Sequence, residues 1–573
     1  MSVIRFTYDR IARRLQEGLI RIPVVGRWSA PQWLVSACVY GWFALVVVWF
    51  VGEMFFGCGV NADEYYMALC CRDYANQPIA MLTFYGGWLA TRIFGDQIIT
   101  LRLLGCFCVL VGVGVPAWYC YRKTRSPRWA LFIVTCVLVA VRSQWIRWYG
   151  WDIGPVMYDG VLITFVISLY DRLATWKVVG VGALAALTVL ARVPSAIVVV
   201  PVCFAALWYA TRGIPMRGRR YWWYAGIGTL SFLLTFLLCV TVMKGSPEAY
   251  VASWRPENII TGHGVKEISF FWRYVKHDAP MLLTEIWVAK YSLVSIAVLC
   301  LFSSRCRYVP AIILMGYLFY RKLMLPNSMC VPRLALNMAM ILFPFLYNLK
   351  SRLLGEKSYI RVDMRKFLII IVFGLVFVVG SDRLILRACY YVMFPLLLVP
   401  LYPVRRGMIF WTMLFLTLPS FVYGVYDRMR KIPDYRRMEE ILPFHKYIME
   451  GNISDFQLSQ CGVVMDVLNH EERRISTFSI GRYAVSYLYE KEVPYRLNTF
   501  HFYSDQEFIS AMDDFTSAYD IIVMEDCEEL YPIEKQISMM RERNFYVTAL
   551  PGNNIVFERL EPRQFLSVAD AAR

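Results

Sequence analysis

Apolar and polar positions alternate along this chain on the scale of whole segments. Runs of roughly 20 apolar residues recur, separated by short polar stretches, and such runs match the thickness of a bilayer's hydrocarbon core. The first run covers residues 33–57 and the second 98–121. Residues 129–144 and 159–170 follow, and 178–211 is too long for one crossing. Arg192, Pro194 and Ser195 fall in its middle, so the pattern predicts two helices joined by a tight turn. Residues 221–243 form the next run, and later runs lie at 291–303, 309–321, 331–348, 366–381, 386–402 and 409–426. The count is about thirteen spans.

Beyond residue 430 the pattern changes to short β-like runs alternating with helical ones. Strands are expected at Gly462–Val467, Ile475–Ile480, Tyr495–Thr499, Asp520–Glu525, Tyr546–Leu550 and Asn554–Glu558. Helices are expected from Arg482, Asp505 and Ile533. That alternation predicts a small α/β unit with a parallel or mixed sheet. The expected fold class is a polytopic α-helical membrane protein with about 13 transmembrane helices and a C-terminal soluble α/β domain. Its divisions are a cytoplasmic amphipathic arm at 1–32, a transmembrane domain at 33–430 and an extracytoplasmic α/β domain at 431–573.

Composition supports the membrane reading. Hydrophobic residues make up 58% and charged residues 18%, more apolar surface than a soluble chain of this length can hide. The net charge of +17 would suggest nucleic acid in a soluble protein. Here the basic residues sit mostly in short loops between apolar runs, so they report topology and anionic lipid, and no nucleic-acid partner is expected.

Arg5, Arg10, Arg13, Arg14, Arg21 and Arg27 hold the N-terminal arm in the cytoplasm, as an interfacial helix leading into an uncleaved anchor. Arg122, Lys123, Arg125 and Arg128 mark the next cytoplasmic loop. The outer loops are then 58–97, 145–158 and 244–290, and the C-terminal domain is outer as well. Arg428, Arg430, Lys431, Arg436 and Arg437 run against the charge rule, which long translocated domains obey poorly.

Of 16 cysteines, Cys38, Cys106, Cys108 and Cys136 lie inside apolar runs and act as small apolar residues. Pairing among Cys58, Cys70 and Cys71, or between Cys461 and Cys527, is left open. There is no CxxC pair, and only five histidines, so a zinc site is not expected.

Candidate chemistry gathers on the outer side. Asp63 and Glu64 stand where the first span meets water; a carboxylate there is either a general base or a solvated helix cap. Asp152 and Asp159 lie seven residues apart in and after the second outer loop, with Arg142 and Arg147 before them. Asp159 is either a substrate-binding group or a helix cap eased by Gly160. The long loop carries His263, Lys266, Arg273 and His277, and histidines in such loops are more often ordinary polar residues than catalysts. Ser381-Asp382-Arg383 and Arg387 put two guanidinium groups on one helical face, suited to a lipid phosphate or to simple anchoring. Arg333 joins them or snorkels alone.

With these residues assembled, the chain resembles the GT-C glycosyltransferases, and within them the protein O-mannosyltransferase and lipid A aminoarabinose transferase branch. The resemblance rests on Asp63-Glu64 after the first span, Pro78, the run GGWLATRIFGDQIITLRLLG with Gly95 and Arg102, and Asp159-Gly160. It covers residues 33–200 by motif and the rest by architecture. The branch's lysine after the acidic pair has no counterpart in residues 79–94, where Arg92 is the only cation.

The resemblance implies an inverting sugar transfer from a polyprenyl-phosphate donor to an acceptor hydroxyl on a glycan, lipid or protein. It further implies Asp63 as base, Glu64 as its orienting neighbour, and Asp152, Asp159, Arg383, Arg387, Arg333 and His263 around the substrates. No cofactor is expected, and no divalent metal is predicted. The implied location is a bacterial inner membrane with the site facing outward. The competing classes are a transporter or flippase of lipid-linked substrate, and a polymerase or ligase of surface polysaccharide. Against transport, the spans show no internal repeat and the large loops fall on one side.

Overall fold

The computed structural model describes residues 32–52, 54, 62–96, 98–127, 130–131, 134–135, 138, 149–212, 216–254, 345, 348–349, 352, 362–374, 475–478, 513, 516–517, 520–525, 533–549 and 554–559. The N-terminal arm, most of the later spans and much of the C-terminal domain therefore lie outside the described residues. So does the span count.

The first apolar run forms α1, Gln32–Gly52. Helix α2, Ala62–Arg72, follows, and two 3-10 turns, Tyr74–Asn76 and Pro78–Ala80, lead into α3, Met81–Phe94. Gly95 stops α3 at φ 97°, a backbone state costly to any residue with a Cβ, and its N–H caps the Thr91 carbonyl at 3.0 Å. Helix α4, Ile98–Thr124, is 27 residues long and apolar enough to cross a membrane.

Helix α5, Gly154–Leu169, opens with Pro155 in its first turn, where proline's missing N–H costs nothing. Residues 154–158, placed in a loop by the hydrophobic pattern, are thus helical. Helices α6, Thr175–Ala191, and α7, Ala196–Ala210, are joined by the 3-10 turn Val193–Ser195, as the Arg-Val-Pro-Ser break predicts. Helix α8, Arg217–Lys244, is the second long span, and the turn Val193–Ser195 with α7 makes a third of sufficient length. A short α9, Pro247–Ala252, starts on Ser246, whose Oγ accepts the Ala249 N–H at 3.1 Å. Helix α10, Met364–Phe373, packs against α7. The chain is a polytopic helical membrane protein.

In a bilayer, helices gain little from hiding apolar side chains and associate through close backbone contact. Two such contacts organise this bundle. A Cβ on Gly160 of α5 would overlap the Gly112 carbonyl oxygen of α4. One on Gly182 of α6 would overlap the Gly228 carbonyl oxygen of α8, beside which Ser231 Oγ donates to the Val179 carbonyl at 2.8 Å. Leu162, Ile163, Val166, Val199 and Ile370 fill the space between helices at 2% exposure or less. The outer side of α8 instead exposes Leu230, Leu234, Leu237 and Leu238, a face made for lipid.

One end of the bundle is rich in lysine and arginine and is tied by Asp171. Its carboxylate meets Lys123 Nζ at 2.7 Å and Lys366 Nζ at 3.4 Å, and accepts from the Tyr119 hydroxyl at 3.0 Å. Partial burial pushes Asp171 up, but the bond and charge of Lys123, the Lys366 charge and the Tyr119 bond outweigh it, holding the group below its usual range.

In the C-terminal region, β1 (Ile475–Phe478), β2 (Ile521–Glu525), β3 (Phe545–Ala549) and β4 (Asn554–Arg559) form a sheet of order β1-β2-β4-β3. β1 and β2 are parallel and the other pairs antiparallel. An amphipathic helix α11, Ile533–Arg541, precedes β3.

Two outcomes test this packing. Gly160→Val should destabilise the solubilised protein by about 1–3 kcal/mol, by the cost of overpacking, read as a lower midpoint in a thermal unfolding scan. Asp171→Asn should cost roughly 1 kcal/mol. Because the folded carboxyl is depressed, that loss should be full near neutrality and vanish as pH falls below the ordinary carboxylate value of about 4 and through the folded one.

Candidate functional site

At the end of the bundle opposite the basic cluster, four segments converge on α3 and the turn before it. Thr83 Oγ1 donates to the Ala191 carbonyl at 2.9 Å, which fastens α3 to the end of α6. The Thr83 carbonyl in turn accepts from the buried Tyr149 hydroxyl at 2.7 Å. Gly86 and Gly87 leave room for that ring and for Cys71 of α2. Gly150 likewise accommodates Met67, and Gly154 accommodates Thr83. Tyr250 of α9 reaches the Pro78 carbonyl at 3.5 Å. The small residues of this region are spaces for neighbouring side chains, and they hold α2, α3 and the 149–154 segment as one surface.

Within that surface lies an ionic group. Arg192 ends α6 in an extended conformation, and its guanidinium lies 3.7 Å from Asp152 Oδ1. The Arg192 side chain is 5% exposed and that of Asp152 25%. The Arg192 turn is locked by Ser195, whose Oγ donates to the Arg192 carbonyl at 2.6 Å.

Asp159, two turns along α5 from Asp152, is completely buried. Neither of its oxygens has a hydrogen-bond partner among the described residues, and Arg192 is the charge that acts on it. A helix-cap role is ruled out, because Asp159 is the sixth residue of α5. A buried carboxylate without hydrogen bonds is costly and is kept where function needs it.

Asp63 and Glu64 are the second and third residues of α2, whose backbone packs on α3; their side chains lie outside the described residues. The start of a helix favours negative charge. Arg333, Arg383, Arg387 and His263 lie outside the described residues altogether. The structure thus brings Asp152 and Asp159 together with Arg192 and places α2 on the same end.

Two features escaped the sequence reading. Arg192 was read only as a turn residue, although an arginine between two apolar runs is itself a signal. Asp73, after α2, accepts from Asn76 Nδ2 at 2.8 Å. Burial raises its pKa, against the Asn76 bond and the Lys244 charge, towards the range of a useful base. Arg102, singled out in the motif run, is fully buried, with Nη1 donating to the Met54 carbonyl at 3.3 Å. By contrast Arg92, the only cation of residues 79–94, is exposed and lies 5.7 Å over the Trp88 ring. Cys70 and Cys71 are buried, and Cys58, Cys461 and Cys527 lie outside the described residues. No group of three or more His, Cys, Asp or Glu with the makings of a metal site occurs among the described residues.

No family model matches the sequence, and neither does any curated protein. Two solved structures are similar to the chain. Both are of ArnT from Cupriavidus metallidurans, one bound to undecaprenyl phosphate and one in the apo state. They align with 92% of this chain and with 99% and 97% of their own, at 14% and 12% identity and a TM-score of 0.38.

The Arg192 charge that acts on Asp159 predicts non-additive substitutions. In a double-mutant cycle of Asp159→Asn and Arg192→Gln, unfolding free energies should show a coupling of about 0.5–3 kcal/mol. Simple additivity would mean that the two groups act separately.

Proposed function

We propose that the chain is a GT-C-type membrane glycosyltransferase that moves a sugar from a polyprenyl-phosphate donor to an acceptor hydroxyl at the outer membrane surface. The observation that carries this reading is Asp159, a fully buried carboxylate with unpartnered oxygens beside Arg192, under the surface on which α2 presents positions 63 and 64. Acidic groups at the membrane edge are what attack by a neutral hydroxyl requires, because a hydroxyl must lose its proton as it attacks.

In the proposed step the acceptor oxygen forms a bond to the anomeric carbon as Asp63 takes its proton. The bond from that carbon to the phosphate oxygen breaks, and polyprenyl phosphate leaves with the electron pair. Attack opposite the leaving group inverts the anomeric centre. The leaving phosphate is already a stable anion, so it needs charge neutralisation and no proton; Arg383 and Arg387 are assigned that task.

Glu64 orients Asp63. Asp152 and Asp159 hold sugar or acceptor hydroxyls, with Arg192 fixing both carboxylates, and Arg333 and His263 complete the donor side. The sugar-facing carboxylates need no metal in this scheme. The organelle or cell implied is one with lipid-linked sugars outside the cytoplasm, in the proposal a bacterial inner membrane.

The test is transfer of labelled sugar from a polyprenyl-phosphate donor in proteoliposomes supplied with envelope acceptors. Asp63→Asn should lower turnover by about 10²–10⁴-fold with unfolding unchanged; wild-type turnover would remove Asp63 from the mechanism. Arg383→Ala and Arg387→Ala should each weaken donor binding. Unchanged donor affinity in both would return these arginines to a lipid-anchoring role.

A further inference from the structure

A second site lies in the basic half of the bundle, far along the helices from Asp159. Helices α7 and α8 both lean on α6 and diverge from each other, leaving a cavity of about 270 Å³. Its walls include Val181 and Ala185 of α6, Cys203 and Phe204 of α7, and Thr229 and Phe232 of α8. The lining is almost wholly apolar. Phe204 and Leu233 line it and are also 38% and 49% exposed, so it opens between α7 and α8. That opening gives onto the leucine face of α8, which is the lipid side. A hollow of this kind is filled from the bilayer by hydrocarbon, because water gains no hydrogen bonds in it.

The basic end of the cavity says what the hydrocarbon is attached to. One turn beyond Leu207 and Ala225 the lining gives way to a collar of arginine and aromatic rings. Arg217 stacks 4.0 Å over Trp208 and donates to the Trp208 carbonyl at 3.3 Å, while its Nε is buried with no hydrogen-bond partner among the described residues. Trp208 meets Tyr221 edge-on at 5.0 Å, and Arg212 lies 4.6 Å over Tyr209. Arg219 and Arg220 are exposed on the first turn of α8. Arg212, Arg217, Arg219 and Arg220 have no carboxylate partner among the described residues. The amides at the start of α8 add to the same positive potential.

We propose that this is a binding site for an anionic phospholipid, with one acyl chain in the cavity between α7 and α8 and its phosphate held by Arg217, Arg219 and Arg220. Charge selects the headgroup, the cavity selects a flexible chain, and the aromatic collar sits at the level where ring systems prefer the interface. The proposal stands apart from the transferase reading, since it uses none of its residues.

The experiment uses the full chain in phosphatidylcholine vesicles containing a trace of phosphatidylglycerol with a photoreactive group in its acyl chain. Labelled peptides are then mapped by mass spectrometry. Label should concentrate on α7 and α8 around Cys203, Phe204 and Phe232, and unlabelled phosphatidylglycerol should compete it away where added phosphatidylcholine does not. Arg219→Gln with Arg220→Gln should cut labelling roughly ten- to thirtyfold, as two interfacial charges are lost.

Cys203→Trp, which fills the cavity, should abolish labelling there in a monodisperse protein. If that variant fails to fold, the surface arginine pair still decides the matter. Equal competition by phosphatidylcholine, or label spread along the whole of α8, would reduce the site to ordinary annular lipid and overturn the proposal. Stronger competition by a polyprenyl phosphate than by phosphatidylglycerol would overturn it too, assigning the cavity to an isoprenoid tail.

Discussion

Asp159 occupies a position that hydrocarbon and packed apolar side chains make hostile to charge. A carboxylate there has lost its hydration, and no hydrogen bond from a described residue replaces it. The Arg192 charge offsets part of that cost, and the local structure keeps its guanidinium in place. The α6 helix stops at Ala191, the 3-10 turn swings the chain back, and Ser195 closes the turn on the Arg192 carbonyl. Thr83 binds the neighbouring Ala191 carbonyl, so α3 is attached at the same place.

Glycine does the complementary work deeper in the bundle. The Gly112–Gly160 and Gly182–Gly228 approaches bring main chains together where lipid offers no hydrophobic drive for association. The first sets how deeply α5 seats against α4, and therefore where Asp159 lies. The second fixes α8 on α6 but not on α7. The same contact that stabilises α8 thus opens the wedge from which the lipid cavity is made.

The membrane architecture was legible because its cause is a single one. A segment of about 20 apolar residues is visible without any partner, and the break at Arg192-Val-Pro-Ser shows in the sequence as a helix pair. Boundaries were less legible. Helix α5 starts at Gly154 because Pro155 is a good first-turn residue, a local effect that hydropathy does not see. The acidic residues were visible as candidates, but their states were not. Asp159 reads equally well as a cap until its depth in α5 is known. Arg192 belonged to the site through an ion pair with Asp152, 40 positions earlier, and no spacing rule reports such a contact. The electrostatic state of Asp73 likewise depends on tertiary surroundings, the Lys244 charge among them.

The account depends above all on which side of the membrane α2 begins. A single cysteine at position 61, in a background with the native cysteines replaced, can be probed in intact cells with a membrane-impermeant maleimide. The account predicts full labelling without permeabilisation, together with a cytoplasmic control cysteine in the loop after α4 that reacts only once the membrane is opened. Labelling of position 61 only after permeabilisation would put Asp63 on the cytoplasmic side, away from an outward-facing carrier-linked sugar, and would contradict it.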